Sequence, residues 1–221
     1  MNPLVELHAF GQSFWYDNIR RQFLLDGEVQ RLIDEDGLRG MTSNPTIFEG
    51  AIGGCEDYDA QIAELAALGA NVETIYEALA LADIQAACDL FAPLYESSGG
   101  ADGFVSLEVS PHLAHETGET VREARRLHEA VGRPNVMIKV PATPEGIPAI
   151  RQLTGEGINV NITLMFNMAH YEAVAHAYID GLRALLARGG DPRQVASVAS
   201  FFVSRVDTVV DKQLAALDDP A

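Results

Sequence analysis

Lysine is nearly missing from this chain: positions 139 and 212 hold the only two, against thirteen arginines in 221 residues. Acidic side chains outnumber basic ones 32 to 15, giving a formal net charge of −17 and a pI near 4.6. That balance argues against nucleic acid or an anionic membrane as a partner. Cysteine is as scarce. Cys55 and Cys88 stand far apart and read as small core or helix residues, so no disulfide framework is expected and the compartment is a reducing one. The start, Met1-Asn2-Pro3-Leu4-Val5-Glu6-Leu7, has neither a basic opening nor a long apolar core, and no stretch reads as a membrane span. The expected location is the cytoplasm. Gly53-Gly54 and Gly189-Gly190 lack the lysine and serine of a P-loop and do not form a dinucleotide fingerprint, so no nucleotide is expected. His112 and His115 have a spacing that could hold a metal but find no convincing third ligand, so no metal or other cofactor is expected.

What is present is a globular composition, 48% hydrophobic, in a chain long enough for one well-buried domain, expected to run over residues 1–221. Short apolar or β-branched runs alternate with amphipathic stretches, the pattern of repeated βα units around a parallel sheet. Six units are expected. The strands fall at about Ser13 to Asp17, Leu38 to Ser43, Phe104 to Ser110, Asn135 to Val140, Asn159 to Phe166 and Val195 to Ser204. A helix through Ile19, Phe23, Val29 and Leu32 ends at Gly37, and later ones run at about Gly118 to Val131, Glu145 to Leu153, Ala169 to Arg188 and Thr208 to Leu217. Between the second and third strands lies a long insert in which Asp57 to Leu68 and Val72 to Tyr95 have helical spacing. Six units do not close a barrel of eight, so an open doubly wound sheet is the alternative.

The strand chemistry favours the barrel. In the fifth strand Asn159, Asn161 and Thr163 alternate with Val160, Ile162 and Leu164; in the third, Ser106, Glu108 and Ser110 alternate with Val105, Leu107 and Val109. Long helices between the strands imply parallel connections that cover the outside, which leaves the polar faces to a common interior. The interior of a purely structural barrel is apolar, so one carrying Glu108, Lys139, Asn161 and Thr163 is a candidate site.

Lys139 lies within the apolar run Val136-Met137-Ile138-Lys139-Val140. Arginine supplies positive charge almost everywhere else, and a guanidinium stays protonated; a desolvated lysine can lose its proton and attack a carbonyl to form a Schiff base. Taken alone, a lysine snorkelling from the end of an edge strand would be the better account of the position, and it is the surroundings that reverse this. Asp17, Asn44 and Arg205 fall at the C-terminal ends of strands one, two and six, where barrels place their sites. Each has a simpler reading: Asp17 as a helix cap, Asn44 before Pro45 as a turn or helix start, Arg205 as an ion-pair partner of Asp207.

Two segments carry a resemblance. Gly40-Met41-Thr42-Ser43-Asn44-Pro45-Thr46-Ile47-Phe48 and Ile138-Lys139-Val140-Pro141-Ala142-Thr143-Pro144-Glu145-Gly146 resemble the two signatures of the transaldolases. The likeness continues through Gly157 to Leu164 and Ser200 to Asp207, and the opening Trp15 to Arg21 with the long insert resembles the longer bacterial type, including forms fused to a glucose phosphate isomerase. It implies a TIM-type (β/α)8 barrel with a Schiff-base lysine on the fourth strand, acting in the pentose phosphate pathway on sugar phosphate substrates. Lys139 would attack the ketone of a ketose phosphate, sedoheptulose 7-phosphate or fructose 6-phosphate. Glu108 would shuttle protons through a water that Thr163 positions. Asp17 would be the acid and base of carbon–carbon bond cleavage. Asn44 and Asn161 would hold substrate hydroxyls or the bound intermediate, and Ser200 with Arg205 would bind phosphate.

Two departures stand out. Asn167 replaces the serine usual after Thr-Leu-Xaa-Phe, and at Ala221 no residues remain for a seventh and eighth strand or for a second phosphate-binding arginine. Open edges on strands one and six would then favour self-association. A related aldolase that releases free dihydroxyacetone, and an inactive sugar-phosphate-binding fragment, are the alternative readings.

Overall fold

The computed structural model describes residues 2–217. Six strands alternate with helices: β1 Phe14–Asp17, β2 Leu38–Thr42, β3 Phe104–Glu108, β4 Val136–Pro141, β5 Val160–Thr163 and β6 Ser197–Ala199. The helices are α1 Pro3–Glu6, α2 Arg21–Leu25, α3 Glu28–Asp36, α4 Pro45–Gly53, α5 Asp59–Ala67, α6 Val72–Ser97, α7 Thr117–Val131, α8 Gly146–Gly155, α9 Met168–Ala187 and α10 Val203–Ala215. Packing divides the chain into two compact units, the first holding Met1–Val109 with Arg122–Ile138, the second Ser110–Val121 with Lys139–Ala221.

In the first unit the strand order is β1-β2-β3-β4, and in the second β4-β5-β6, so neighbours in sequence are neighbours in the sheet. A doubly wound sheet reverses its order at a switch point. None occurs among the described residues, and the pairings of β1 with β2, β2 with β3 and β5 with β6 are parallel. The fold is the expected α/β one of a TIM-type barrel, with six βα units.

The first unit is built on the long insert. Ile84, Ala87, Cys88 and Phe91 of α6 are fully buried beside Leu38 and Met41 of β2 and Val105 of β3. Each large side chain so buried contributes about 1.5–3 kcal/mol. Tyr95 meets Phe104 edge-on with ring centroids 5.3 Å apart. Gly103 has φ +84°, and a Cβ there would stand 2.6 Å from the Tyr95 backbone nitrogen, so only glycine lets α6 lie this close to β3. α6 is also long and apolar enough to cross a membrane by length and composition, which corrects the expectation that no stretch is. Its buried face, however, includes Asp83 and packs within this unit.

In the second unit α8 and α9 pack closely. A Cβ at Gly181 would come within 2.6 Å of the Thr154 side chain and 2.7 Å of the Arg151 carbonyl oxygen. Ala149, Ile150 and Leu153 of α8, Val160 and Ile162 of β5 and Val174 of α9 form the core.

Several boundaries differ from expectation, each for a local reason. The single helix expected up to Gly37 is two, broken at Asp26-Gly27, where Gly27 takes φ +87°. α4 was not expected; Asn44 caps it by accepting from the Ile47 N–H at 2.9 Å, and Pro45 supplies its first turn. β5 stops at Thr163 because Leu164 turns to φ +64°. β6 spans three residues, and the chain after Ser200 leads into α10.

Candidate active site

Every residue of β4 is buried, Lys139 included at 4% exposure. The register around it follows from the hydrogen bonds of the second unit. In a parallel ladder, the residue before the donating N–H stands level with the residue whose carbonyl accepts. The pairing of Ala199 with Ile162 obeys this rule through Ser200 N–H to Ile162 O at 2.7 Å. Ala142 N–H donates to Thr163 O at 2.8 Å, so Pro141 stands level with Thr163 and, two residues back on each strand, Lys139 level with Asn161. Asn161 is level with Val198.

Asn161 is 1% exposed, and its Oδ1 accepts from the Ser200 hydroxyl at 2.7 Å. Thr163, also 1% exposed, has a hydroxyl with no protein partner among the described residues. A buried hydroxyl left unpaired costs free energy, which marks a position kept for something other than stability. The next residue adds to this. Leu164 holds a left-handed backbone, uncommon for a branched side chain and typical of positions where structure is fixed against local preference.

Of the predicted residues in this unit, Lys139, Asn161, Thr163 and Ser200 therefore lie on neighbouring strand ends. Among the described residues Arg205 joins them by no hydrogen bond or ion pair. It sits in the first turn of α10, exposed, with its guanidinium 4.2 Å from the centroid of Phe202. Among the described residues Asp207 is not its ion-pair partner. Phe202 in turn stacks on Phe166 with centroids 6.2 Å apart. Beside them a cavity of about 380 Å³ is lined by Phe166, Asn167, Tyr171 and Phe201 among others. Asn167 is the N-cap of α9, accepting from His170 N–H at 2.8 Å, a role serine fills equally well.

In the first unit, Asp17 ends β1 and is exposed, level with Thr42 of β2, which is level with Ser106 of β3. Two residues on in sequence come Glu108, the last residue of β3, and Asn44, which lies past the end of β2. Asn44 does cap a helix, so its simpler reading holds as far as Oδ1 is concerned. Glu108 is partly buried, and its negative charge joins burial in pushing the Tyr76 phenol above its usual pKa. Sequence reasoning missed two residues here and in the second unit. Thr42 Oγ1 is buried without a partner among the described residues, on the row of Asp17; Phe202 holds Arg205. Thr42 could have been found from its alternation with Asn44 inside the Gly40 to Phe48 segment.

Among the described residues no three His, Cys, Asp or Glu side chains gather as a metal site would require. His115 instead lies 3.2 Å from Glu145, both well exposed. Burial pushes the Cys88 thiol up to about 12, so it is an inert core group.

Parallel βα units with a buried lysine and polar residues at the strand ends match the place where TIM-type barrels carry their sites. Comparison with known proteins narrows this. Residues 14–221 match the model of the transaldolase/fructose-6-phosphate aldolase family, and the chain belongs to that family. It is 50% identical to a transaldolase of Thiobacillus denitrificans over 217 residues, which cover 98% of this chain and 60% of that protein. It is 49% identical over 210 residues to one of Trichodesmium erythraeum, covering 95% and 55%, and 50% identical over 218 residues to one of Parafrankia sp., covering 99% and 59%. The chain thus spans somewhat more than half the length of these relatives.

Proposed function

We propose that this protein is a transaldolase, moving a dihydroxyacetone unit from a ketose phosphate to an aldose phosphate, glyceraldehyde 3-phosphate or erythrose 4-phosphate, through a Schiff base on Lys139. The observation that carries the reading is the burial of Lys139 beside Asn161 in a chain that otherwise uses arginine for its positive charge. An amine can serve as the nucleophile toward a carbonyl and form a Schiff base, which a guanidinium does not.

In this reading the Lys139 amine adds to the substrate ketone and water leaves, with Glu108 passing protons through a water held by the Thr163 hydroxyl. Asp17 takes the proton of the C4 hydroxyl, the C3–C4 bond breaks, and its electron pair moves into the protonated imine, so an aldose phosphate departs and an enamine remains on Lys139. The acceptor aldehyde is attacked by that enamine, Asp17 returns the proton, and hydrolysis frees the amine. Asn44 and Asn161 hold hydroxyls of the bound sugar, while Ser200 and Arg205 take the phosphate. Positioned proton transfer of this kind contributes about 10²- to 10⁴-fold. The protonated imine serves as electron sink, so the scheme calls for no cofactor. The reading places the protein in the pentose phosphate pathway, in the cytoplasm, as one barrel-type domain over residues 1–221. Self-association through the outer edges of β1 and β6 is part of the proposal.

Borohydride reduction in the presence of fructose 6-phosphate, followed by peptide mass mapping, tests it. Label on Lys139 and turnover that requires an aldose phosphate acceptor are expected. Label on Lys212, or none in an active sample, would refute the assignment, and free dihydroxyacetone without an acceptor would make the protein an aldolase instead.

A further inference from the structure

Asp17 is followed by only Asn18, Ile19 and Arg20 before α2 begins, so whatever fixes the start of α2 also fixes the segment that carries the Asp17 carboxylate. Local sequence does not do it. Arg20 stands at the N-cap with extended backbone, φ −151° and ψ 131°, and makes no side-chain capping bond. The first free N–H of the helix, that of Arg21, is instead taken by the phenolic oxygen of Tyr58 at 3.1 Å. Tyr58 is wholly buried and donates its own proton to Asp83 Oδ2 at 2.8 Å, while Arg21 Nε donates to Asp83 Oδ1 at 2.7 Å. Three hydrogen bonds thus close a ring through the backbone and side chain of one residue, four positions after Asp17.

Further contacts complete the clasp. The guanidinium lies 4.4 Å from the Tyr58 ring centroid, and its remaining nitrogens donate to Gln61 Oε1 at 2.8 Å and Leu79 O at 3.4 Å. Ile19, between Asp17 and the clasp, is 1% exposed, so the loop is anchored in the core at that residue. The Asp83 side chain is 3% exposed and that of Arg21 15%. A buried ion pair is a costly way to join two helices, since apolar side chains of like volume do as well or better, and such pairs are best explained where they fix a particular geometry. This one grips a backbone N–H in the turn after Asp17, and does so with residues of the long insert.

We propose that Tyr58 and Asp83 are positioning residues for Asp17, and that the insert between β2 and β3 serves to hold the acid–base carboxylate in place for carbon–carbon bond cleavage. The proposal rests on the transaldolase reading given above. Imine formation does not use Asp17, whereas cleavage does, so loosening the clasp should slow the second step and spare the first.

Tyr58→Phe removes one hydroxyl and leaves the ring. Reduction of the protein with borohydride and fructose 6-phosphate, followed by intact mass, separates a six-carbon adduct on Lys139, formed before cleavage, from a three-carbon adduct, formed after it. The parent should carry mainly the three-carbon adduct; in Tyr58→Phe the six-carbon share should rise severalfold, with kcat down about tenfold and KM within about twofold. Asp83→Asn should shift the ratio the same way and decides the matter if Tyr58→Phe does not fold. Arg126→Gln, which breaks an exposed pair with Glu77 on α6, should leave the ratio unchanged. A folded variant with the parent's ratio would overturn the proposal while leaving the transaldolase reading intact. No adduct in the parent would overturn both.

Discussion

Asn135 offers a direct measure of what holds the lysine-bearing strand in place. It stands one residue before β4, is 1% exposed, and its Nδ2 donates to Cys88 O in α6 and to Gly103 O before β3, both at 2.9 Å. Its own carbonyl accepts from Val105 N–H at 3.0 Å. Asn135→Ala deletes the two side-chain bonds. Cys88 O lies inside a helix and keeps its helical environment, so the loss there is that of an ordinary hydrogen bond, about 0.5–1.5 kcal/mol; Gly103 O loses a buried donor, at about 1–3 kcal/mol. The sum is about 1.5–4.5 kcal/mol, or a fall in Tm of roughly 3–18 °C for a chain of this size. Asn135→Asp has the same shape but turns the donor into an acceptor facing two carbonyl oxygens, and it should be worse than alanine at neutral pH. The folded state would hold that carboxyl protonated well above the usual pKa of about 3.9. Folded protein then binds more protons than unfolded, so stability falls as pH rises from about 4 through the raised pKa. Urea melts followed by circular dichroism at pH 4.5 and 7.5 check both signs. An Asn135→Asp variant within about 0.5 kcal/mol of the parent at pH 7.5, or a deficit that widens on acidification, would refute the reasoning.

Lys139→Arg should abolish borohydride trapping and lower turnover far more than tenfold while the thermal melt stays cooperative; activity kept within about tenfold, a barrier change below roughly 1.4 kcal/mol, would rule out the amine as nucleophile. Gly146→Ala places a Cβ in overlap with the Pro141 carbonyl oxygen, just beyond Lys139, and should cost about 1–3 kcal/mol in urea melts, whereas Gly53→Ala meets nothing within 4 Å and should be neutral or stabilising. Leu164→Gly relieves a left-handed leucine and should leave stability unchanged or raise it by about 1 kcal/mol, with a loss of that size counting against strain at this position.

The parts of the fold legible in the sequence are those with a short period. Alternation of polar and apolar residues over Ser106 to Val109 and Asn159 to Thr163 marked two strands whose polar members the structure buries at 4% exposure or less for Ser106, Asn159, Asn161 and Thr163. The helical spacing of Val72 to Tyr95 marked α6 almost to its ends. Features set by single residues were harder to read: Gly27 splits a helix, Leu164 ends a strand, and Asn44 starts a helix by one hydrogen bond. The Arg21, Tyr58 and Asp83 clasp was not legible at all, because its partners are 25 to 62 positions apart and no local pattern relates them. Thr42 is an intermediate case: it lies inside the Gly40 to Phe48 segment, but what sets it apart is a buried hydroxyl without a partner among the described residues.

The near absence of lysine makes Lys139 analytically as well as chemically distinct. Lys212 is exposed and Lys139 is not, so amine-reactive coupling under native conditions should favour Lys212 over Lys139. Trypsin cuts after lysine and arginine but not before proline, and Arg133 is followed by Pro134. Denatured parent protein should therefore release a peptide from Leu127 to Lys139 and a second from Val140 to Arg151. A reduced adduct on Lys139 removes that cleavage site and fuses the two. The covalent state of this one side chain can be read as the presence or absence of a single longer peptide.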